Sequence, residues 1–343
     1  VVLVDLVEGT ERVVATSRGW EVQLGANVQW GGSDEQLFFN DVDPNDWSDF
    51  AVCLNPLTGE RRRLPGTVFM ASTDGRFLAS YNLRASRYAQ VGYGVAVPDA
   101  QTRRNVGPVA DDSITITDTN AGTVRRVLSI ADVYRALPAL QVPNPEAHYY
   151  YFFQVKWNPA GTRLLATLQW TPLGGSGRRR AVLTFRPDGS ELRLAITPDQ
   201  WARGGHHINW APDGEHLTMN LNVDGQPGLE IIRVRADGTG LETLFPTGSG
   251  HPSLHPGKRY MVTDAYPDEP LAPGDGTSPI RWLDLQGKKE TLLARIFVSM
   301  TPGEMRVDPH PAWDRSGRFV IFNGFVDHTR QVYLADVRSL LGP

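Results

Sequence analysis

The sequence is poor in cysteine: Cys53 stands alone among 343 residues. No disulfide can form within the chain, and its fold does not rest on one. Long apolar runs are missing too. No stretch of about eighteen consecutive apolar residues occurs, which excludes a membrane-crossing helix. There is no excess of positive charge. Lys and Arg number 34 against 38 Asp and Glu, for a net charge of −4, and the two signs are interspersed. That excludes the basic footprint of a nucleic-acid binder or of a protein seated on anionic lipid. Long helical patterns are also absent; "SIADVYRAL" (129–137) is at most one short helix. The chain starts at Val1 within a strand-like pattern, so the expectation is that an initiator segment, and with it any signal peptide, has been removed. Cytoplasmic and periplasmic or secreted locations are both compatible with this composition.

What is present is a repeat. An apolar fraction of 41% supports a sizeable core, and nine Trp, ten Tyr and thirteen Phe suit a large β-protein. "KWNPAGTRLLATL" begins at Lys156, "NWAPDGEHLTMNL" at Asn209 and "AWDRSGRFVIFNG" at Ala312. A shorter copy, "SLHPGKRYMVTDA", begins at Ser253, and weaker ones begin at Gln29 and Ala71. Each reads as a short strand, a polar turn and a second, alternating strand. Hairpins follow at 113–129, 181–196, 229–245 and 280–296. Four strands per unit, recurring every roughly 40–60 residues, predict an all-β β-propeller with four-stranded antiparallel blades. Six first strands are visible. The opening "VVLVDLVEGTERVVAT" reads as the third and fourth strands of one more blade, and the last blade ends after its third strand, "QVYLADV" (331–337). Seven blades is the favoured count, with six as the alternative. A closed ring predicts a single domain over residues 1–343. The segment Arg84–Asp112 is expected as a loop between two strands of one blade, and Pro138–Phe153 as an irregular approach to the next.

Registering the copies on the Trp that ends each first strand, or on its substitute, brings out the histidines. The residue three places before it is Gln154, His207, His251 and His310 in four successive copies, with Asn27 and Val68 in the weaker ones. Residues of equal phase in successive blades occupy equivalent places. Gln154, His207, His251 and His310 are therefore expected to converge. Imidazole is the commonest metal ligand and the side chain that titrates near neutral pH. In "RVDPHPAW", strand alternation would set Arg306, Asp308 and His310 on one face. A carboxylate two residues from a His can bind the same metal or hold the ring in one tautomer. A nearby Arg suits a substrate carboxylate. Of the remaining histidines, His206 is expected to point away from the cluster, His255, His216 and His328 to lie at the surface, and His148 in a loop. Trp170 and Tyr93 are expected in the core, with sugar stacking as the other reading.

These stretches, "GHHINWAPD", "GHPSLHPGKRYMVTDAYPD" and "GEMRVDPHPAWDRSG…TRQVYLADV", resemble motifs of the oligogalacturonate lyase family and its TolB-like propeller relatives. The resemblance covers roughly Phe152 to Val337. It implies a seven-bladed propeller that cleaves uronic-acid oligosaccharides by β-elimination and binds a divalent metal. Mn²⁺ is the leading candidate, and Ca²⁺ or Zn²⁺ are the alternatives. It places the catalytic base at His207 and metal ligands at His251 and His310. Asp308 falls where the family has a further His ligand, and no Gln stands near Glu304 and Met305, where the family has one. A more oxygen-rich site leans toward harder cations. Under this reading Arg306 stabilises the charge that develops on the substrate, and Gln154, Arg84 and Arg87 bind an acidic oligo- or polysaccharide. The competing reading is a non-catalytic TolB-like propeller that binds a protein or glycan partner. A hydrolase acting through paired Asp and Glu fits less well, because the phased residues are His and Gln.

Overall fold

The turn between the first two strands of each copy explains why the repeat is written as it is. In "NPAGTR" the Asn158 side-chain oxygen accepts the amides of Thr162 (2.9 Å) and Arg163 (3.0 Å). Asp213 does the same for Glu215 and His216, both at 3.0 Å. Asp314 takes the amides of Arg318 and Phe319, at 2.9 and 2.8 Å. The glycine closing each turn has positive φ (Gly161 66°, Gly214 71°, Gly317 68°), where a Cβ would be strained.

The computed structural model describes residues 1–6, 8–298 and 305–342. It is an all-β β-propeller chain with six blades that start at the six expected first strands. Blade one comprises Gln29–Trp30, Leu37–Val42, Asp49–Leu54 and Arg61–Leu64. Blade two comprises Met70–Ala71, Phe77–Ser80, Ser113–Asp118 and Thr123–Ser129. Blade three comprises His148–Trp157, Leu164–Pro172, Arg179–Phe185 and Arg193–Ile196. Blade four comprises Gly205–Trp210, His216–Leu221, Glu230–Arg235 and Glu242–Phe245. Blade five comprises Ser253–Leu254, Tyr260–Thr263, Thr277–Asp284 and Lys289–Phe297. Blade six has three described strands, Ala312–Trp313, Phe319–Val326 and Thr329–Asp336. The N-terminal pair Val2–Asp5 and Thr10–Val13 forms a two-stranded sheet of its own. Among the described residues the six-blade alternative is the count found, with that hairpin as a seventh, partial sheet.

The chain divides into two compact units, Val1–Leu194 and Ala195–Pro343, and the boundary falls within the strand Arg193–Ile196. In the first unit the second strand of blade three is buried from Leu164 to Thr171, and Trp170 stacks on Tyr150 at 6.0 Å. Trp170 is a core residue. In the second unit Trp282 packs between Tyr260 and Trp313, with ring centroids at 4.9 and 5.5 Å. Burying each such ring contributes on the order of 1.5–3 kcal/mol.

Two expectations for the connections need correction. The segment Arg84–Asp112 does join the second and third strands of blade two, yet it opens in a helix, Leu83–Ala89. Asn82 nucleates that helix by accepting the amides of Arg84 and Ala85. The approach Pro138–Phe153 is irregular only as far as Ala147. From His148 the aromatic run "HYYYFF" is strand, pairing from His148–Pro172 through Phe153–Thr167, as its β-propensity favours. The short helix expected near 129–137 is Ile130–Ala136, opened by a capping box between Ser129 and Asp132.

Candidate metal centre

The phased position is a left-handed residue rather than a member of a regular strand. Asn27, Gln154, His207 and His310 have φ of 53°, 58°, 59° and 48°. Pairing slips on either side of it, between Phe153 and Lys156 in blade three and between His206 and Asn209 in blade four. Each is a bulge that re-aims one side chain. Asn and His tolerate this region better than most residues. In blade five the left-handed place passes to Gly250 (φ 57°), immediately before His251. The expected alternation across 306–310 is also corrected: the strand begins only at Ala312.

In the second unit these bends bring the histidines together. The His207 and His251 rings lie 4.0 Å apart, His251 and His310 3.4 Å, and His207 and His310 6.1 Å. Asp308 is buried beside them. Its Oδ2 accepts from Arg306 Nε at 2.8 Å and lies 3.9 Å from His310 Nε2. His251, Asp308 and His310 each present a ligand atom, all within 4.8 Å of one another. Arg306, Asp308 and His310 thus do meet, through loop geometry.

Sequence reasoning missed two residues that organise this cluster. Asp264 is 1% exposed. Its Oδ1 accepts the His251 amide at 2.5 Å, its carboxylate lies 2.9 and 3.0 Å from His251 Nδ1, and its Oδ2 accepts the His310 amide at 3.2 Å. Burial pushes this carboxyl above the ordinary range, while the charge of His310 and the two amides pull it back. An imidazole whose Nδ1–H is donated to a carboxylate keeps its lone pair on Nε2. Tyr266 is the second. Its hydroxyl lies 2.6 Å from His207 Nε2 and 3.2 Å from His251 Nε2. The cluster is therefore linked as Asp264, His251, Tyr266, His207. His206 corrects a further expectation: the bulge keeps it near, 4.7 Å ring to ring from His207 and 3.9 Å from Glu269. Burial also raises the Glu269 carboxyl, against a hydrogen bond from the Ser249 hydroxyl.

A signal for Asp264 existed. Ten residues after the registering position stand Asn40, Asn220 and Asn323, and Asp264 is the acid in that column. The Asn members bond main-chain atoms of the segment leading to a first strand, as Asn40 does with Val68 and Asn220 with Gly250.

Gln154, Arg84 and Arg87 lie in the first unit. Arg84 is paired with Asp49 at 3.1 Å and Arg87 with buried Glu21 at 2.7 Å, so both charges are compensated within the protein. His255 is half-buried against Trp313, 4.6 Å ring to ring, rather than exposed. His216 pairs with Asp213 at 3.2 Å. His148 sits in the first strand of blade three. Tyr93 packs edge-on against Phe153. Glu304 lies outside the described residues.

The donor set fits a divalent cation. Two imidazoles and one carboxylate form a mixed nitrogen and oxygen site, and His251 has its Nε2 lone pair fixed from behind.

No protein-family model matches this sequence, and no curated protein does. Solved structures do match. An oligogalacturonate lyase in complex with manganese has a TM-score of 0.68 at 14% identity, over 98% of this chain and 82% of that one. The β-propeller domain of the Trilobed protease from Pyrococcus furiosus has a TM-score of 0.53 at 14% identity, over 90% and 82%. A putative TolB from Agrobacterium tumefaciens has 16% identity over 86% and 88%, with a TM-score of 0.45. At these identities the likeness concerns the fold.

Proposed function

We propose that the protein is a metal-dependent polysaccharide lyase that cleaves uronic-acid-containing oligo- or polysaccharides by β-elimination. The observation that carries this reading is the meeting of three imidazoles and one carboxylate, with His207 and His251 4.0 Å apart and His251 and His310 3.4 Å apart. A core has no need of such a set. The manganese complex among the similar folds is a lyase on uronates, which supports the same class.

His251, Asp308 and His310 would hold the cation, Mn²⁺ first among the candidates. When bound, it supplies Lewis acidity toward the uronate carboxylate. Arg306, which spans from Asp308 at 2.8 Å, grips the same carboxylate. Fixed positive charge where negative charge develops makes the neighbouring C5–H removable. His207 takes that proton as general base, and the Tyr266 hydroxyl at Nε2 orients its ring. The C5–H electron pair becomes the C4=C5 double bond, the C4–O bond breaks, and the leaving oxygen takes a proton from water. The products are an unsaturated uronate and a new sugar hydroxyl.

The test is ultraviolet detection of the unsaturated product over a panel of polyuronates, with Mn²⁺, Ca²⁺ or chelator. Product that appears with metal and vanishes with chelator is expected. His207→Ala should then lose about 10²–10⁴ in rate while still binding metal, and His310→Ala should lose the metal. Bound metal with no product on any uronate would move the reading to a non-catalytic glycan- or protein-binding propeller. Full activity in His207→Ala would refute the base.

A further inference from the structure

An elimination needs two proton transfers, one from carbon and one to the departing oxygen. His207 is engaged in the first. A carboxyl stands close to it on the same connection as Tyr266. After the strand Tyr260–Thr263 the chain folds into a turn in which the Glu269 amide donates to the Tyr266 carbonyl at 3.0 Å. One turn therefore carries both Tyr266, whose hydroxyl meets His207 Nε2, and Glu269. The His206 ring links Glu269 to the base: it lies 4.7 Å from the His207 ring, and its Nε2 lies 3.9 Å from Glu269 Oε1. All of these residues belong to the second unit.

Glu269 is the carboxyl of this region that a substrate can reach. Its side chain is 28% exposed, whereas Asp264 and Asp308 are buried and so is His206 Nε2. Its Oε2 accepts from the Ser249 hydroxyl, which holds the group in place. Its Oε1 accepts no hydrogen bond among the described residues. Burial raises this carboxyl, the Ser249 hydrogen bond opposes the rise, and the charges of Asp268 and Asp264 add to it. The same side chain lines a cavity of about 520 Å³, within the range of about 300–1,000 Å³ of small-molecule sites. The rest of that lining is largely apolar, with Pro227, Leu229, Pro246, Pro270 and Leu271. Glu269 thus stands where the histidine cluster meets a space large enough for a sugar ring.

We propose that Glu269 is the general acid of the elimination, giving its proton to the leaving oxygen of a sugar seated in this cavity. The inference rests on the lyase reading. His207 takes the C5 proton, and the C5–H electron pair becomes the C4=C5 double bond. The C4–O pair goes to the leaving oxygen, which takes the proton of the Glu269 carboxyl. The carboxylate that results is recharged from water before the next turnover, so water remains the source of that proton. An acid held ready in an apolar surrounding serves better than free water, because the sugar oxygen is a poor leaving group unless a proton arrives as the bond breaks.

The test compares leaving groups on the full chain with Mn²⁺. Formation of the double bond is followed in the ultraviolet on a polyuronate and on a uronoside carrying fluorine at C4, whose fluoride departs without a proton. Glu269→Gln keeps the shape and removes the acid. It should lose about 10²–10⁴ in rate on the polyuronate and far less on the fluoride, whereas His207→Ala should lose heavily on both. Leu271→Trp, at a cavity residue 37% exposed, should raise KM for the polyuronate more than for the fluoride. Should Glu269→Gln fail to fold, the unmodified protein still decides: the alkaline limb of its pH–rate profile should be present on the polyuronate and missing on the fluoride. Equal losses on both substrates in Glu269→Gln, no loss on either, or the same alkaline limb on both would each overturn the proposal. An unmodified protein that forms the double bond from neither substrate would refute the lyase reading itself, and this inference with it.

Discussion

Replacing Asp264 by Asn should weaken metal binding about tenfold to a hundredfold. It should also cost stability, as counting donors shows. The His251 amide, the His251 Nδ1–H and the His310 amide converge on two carboxylate oxygens at 2.5, 2.9 and 3.2 Å. Asn has the same shape but one oxygen, and its NH₂ must face a donor. One N–H is then stranded at a residue 1% exposed, which costs about 1–3 kcal/mol. The same change releases the His251 tautomer. Loss of an outer partner of this kind lowers metal affinity about 10–100-fold, or about 1.4–2.8 kcal/mol at 1.4 kcal/mol per tenfold. The first cost falls on the fold, with or without metal, and the second on metal affinity. Calorimetric titration with Mn²⁺ at neutral pH, paired with thermal unfolding of the metal-free protein, reads both. Wild-type affinity together with wild-type stability would refute the reasoning and indicate an Asp264 that is protonated in the fold. Lost stability with unchanged affinity would show that His251 is not a ligand.

Two further outcomes follow from the same geometry. Tyr266→Phe removes the hydroxyl that lies 2.6 Å from His207 Nε2; turnover should fall by up to about a hundredfold through misorientation of the base, and an unchanged kcat would remove Tyr266 from the site. Asp284 is held at about 2, below its ordinary 3.8, chiefly by the hydrogen bond from Arg259. A depressed carboxyl adds stability above its unfolded value and loses it as pH falls through its folded one. The Tm deficit of Asp284→Asn at pH about 6 should therefore shrink below 3.8 and vanish near 2, and a pH-independent deficit would contradict that assignment.

Much of the fold is legible because its turns are chemical. Asn158, Asp213 and Asp314 must be Asx residues to take the amides that follow them, and a glycine must close each turn. The copies therefore announce themselves, and the hairpins fall where the repeat puts them. The helix Leu83–Ala89 was illegible because it spans barely two turns and depends on one capping side chain, Asn82. Convergence of His207, His251 and His310 was legible from register. Strand alternation, the cause expected for the meeting of Arg306, Asp308 and His310, is not what brings those three together, because all of them precede the strand Ala312–Trp313. Tyr266 left no trace in the repeat, because it lies beyond the strand Tyr260–Thr263, in a connection with no counterpart to compare.

The bulge also makes the three histidines unequal, which bears on how a cation would be held. A non-glycine residue at positive φ is strained, and such strain persists where surrounding structure over-determines it. His207 and His310 carry that strain themselves, whereas in blade five Gly250 takes it and frees His251. Any side chain at position 250 would collide with Asp264. The glycine is thus what lets the carboxylate close on His251 from behind. His251 is accordingly 7% exposed and fixed at two atoms, while the His310 side chain is 46% exposed. A cation at this site would meet one ligand already in place, His251, with Asp308 braced by Arg306 beside it. His310 is the exposed ligand of the three. Affinity should therefore depend most steeply on the residues around Asp264, and the choice among Mn²⁺, Ca²⁺ and Zn²⁺ on how far His310 can move to complete the set.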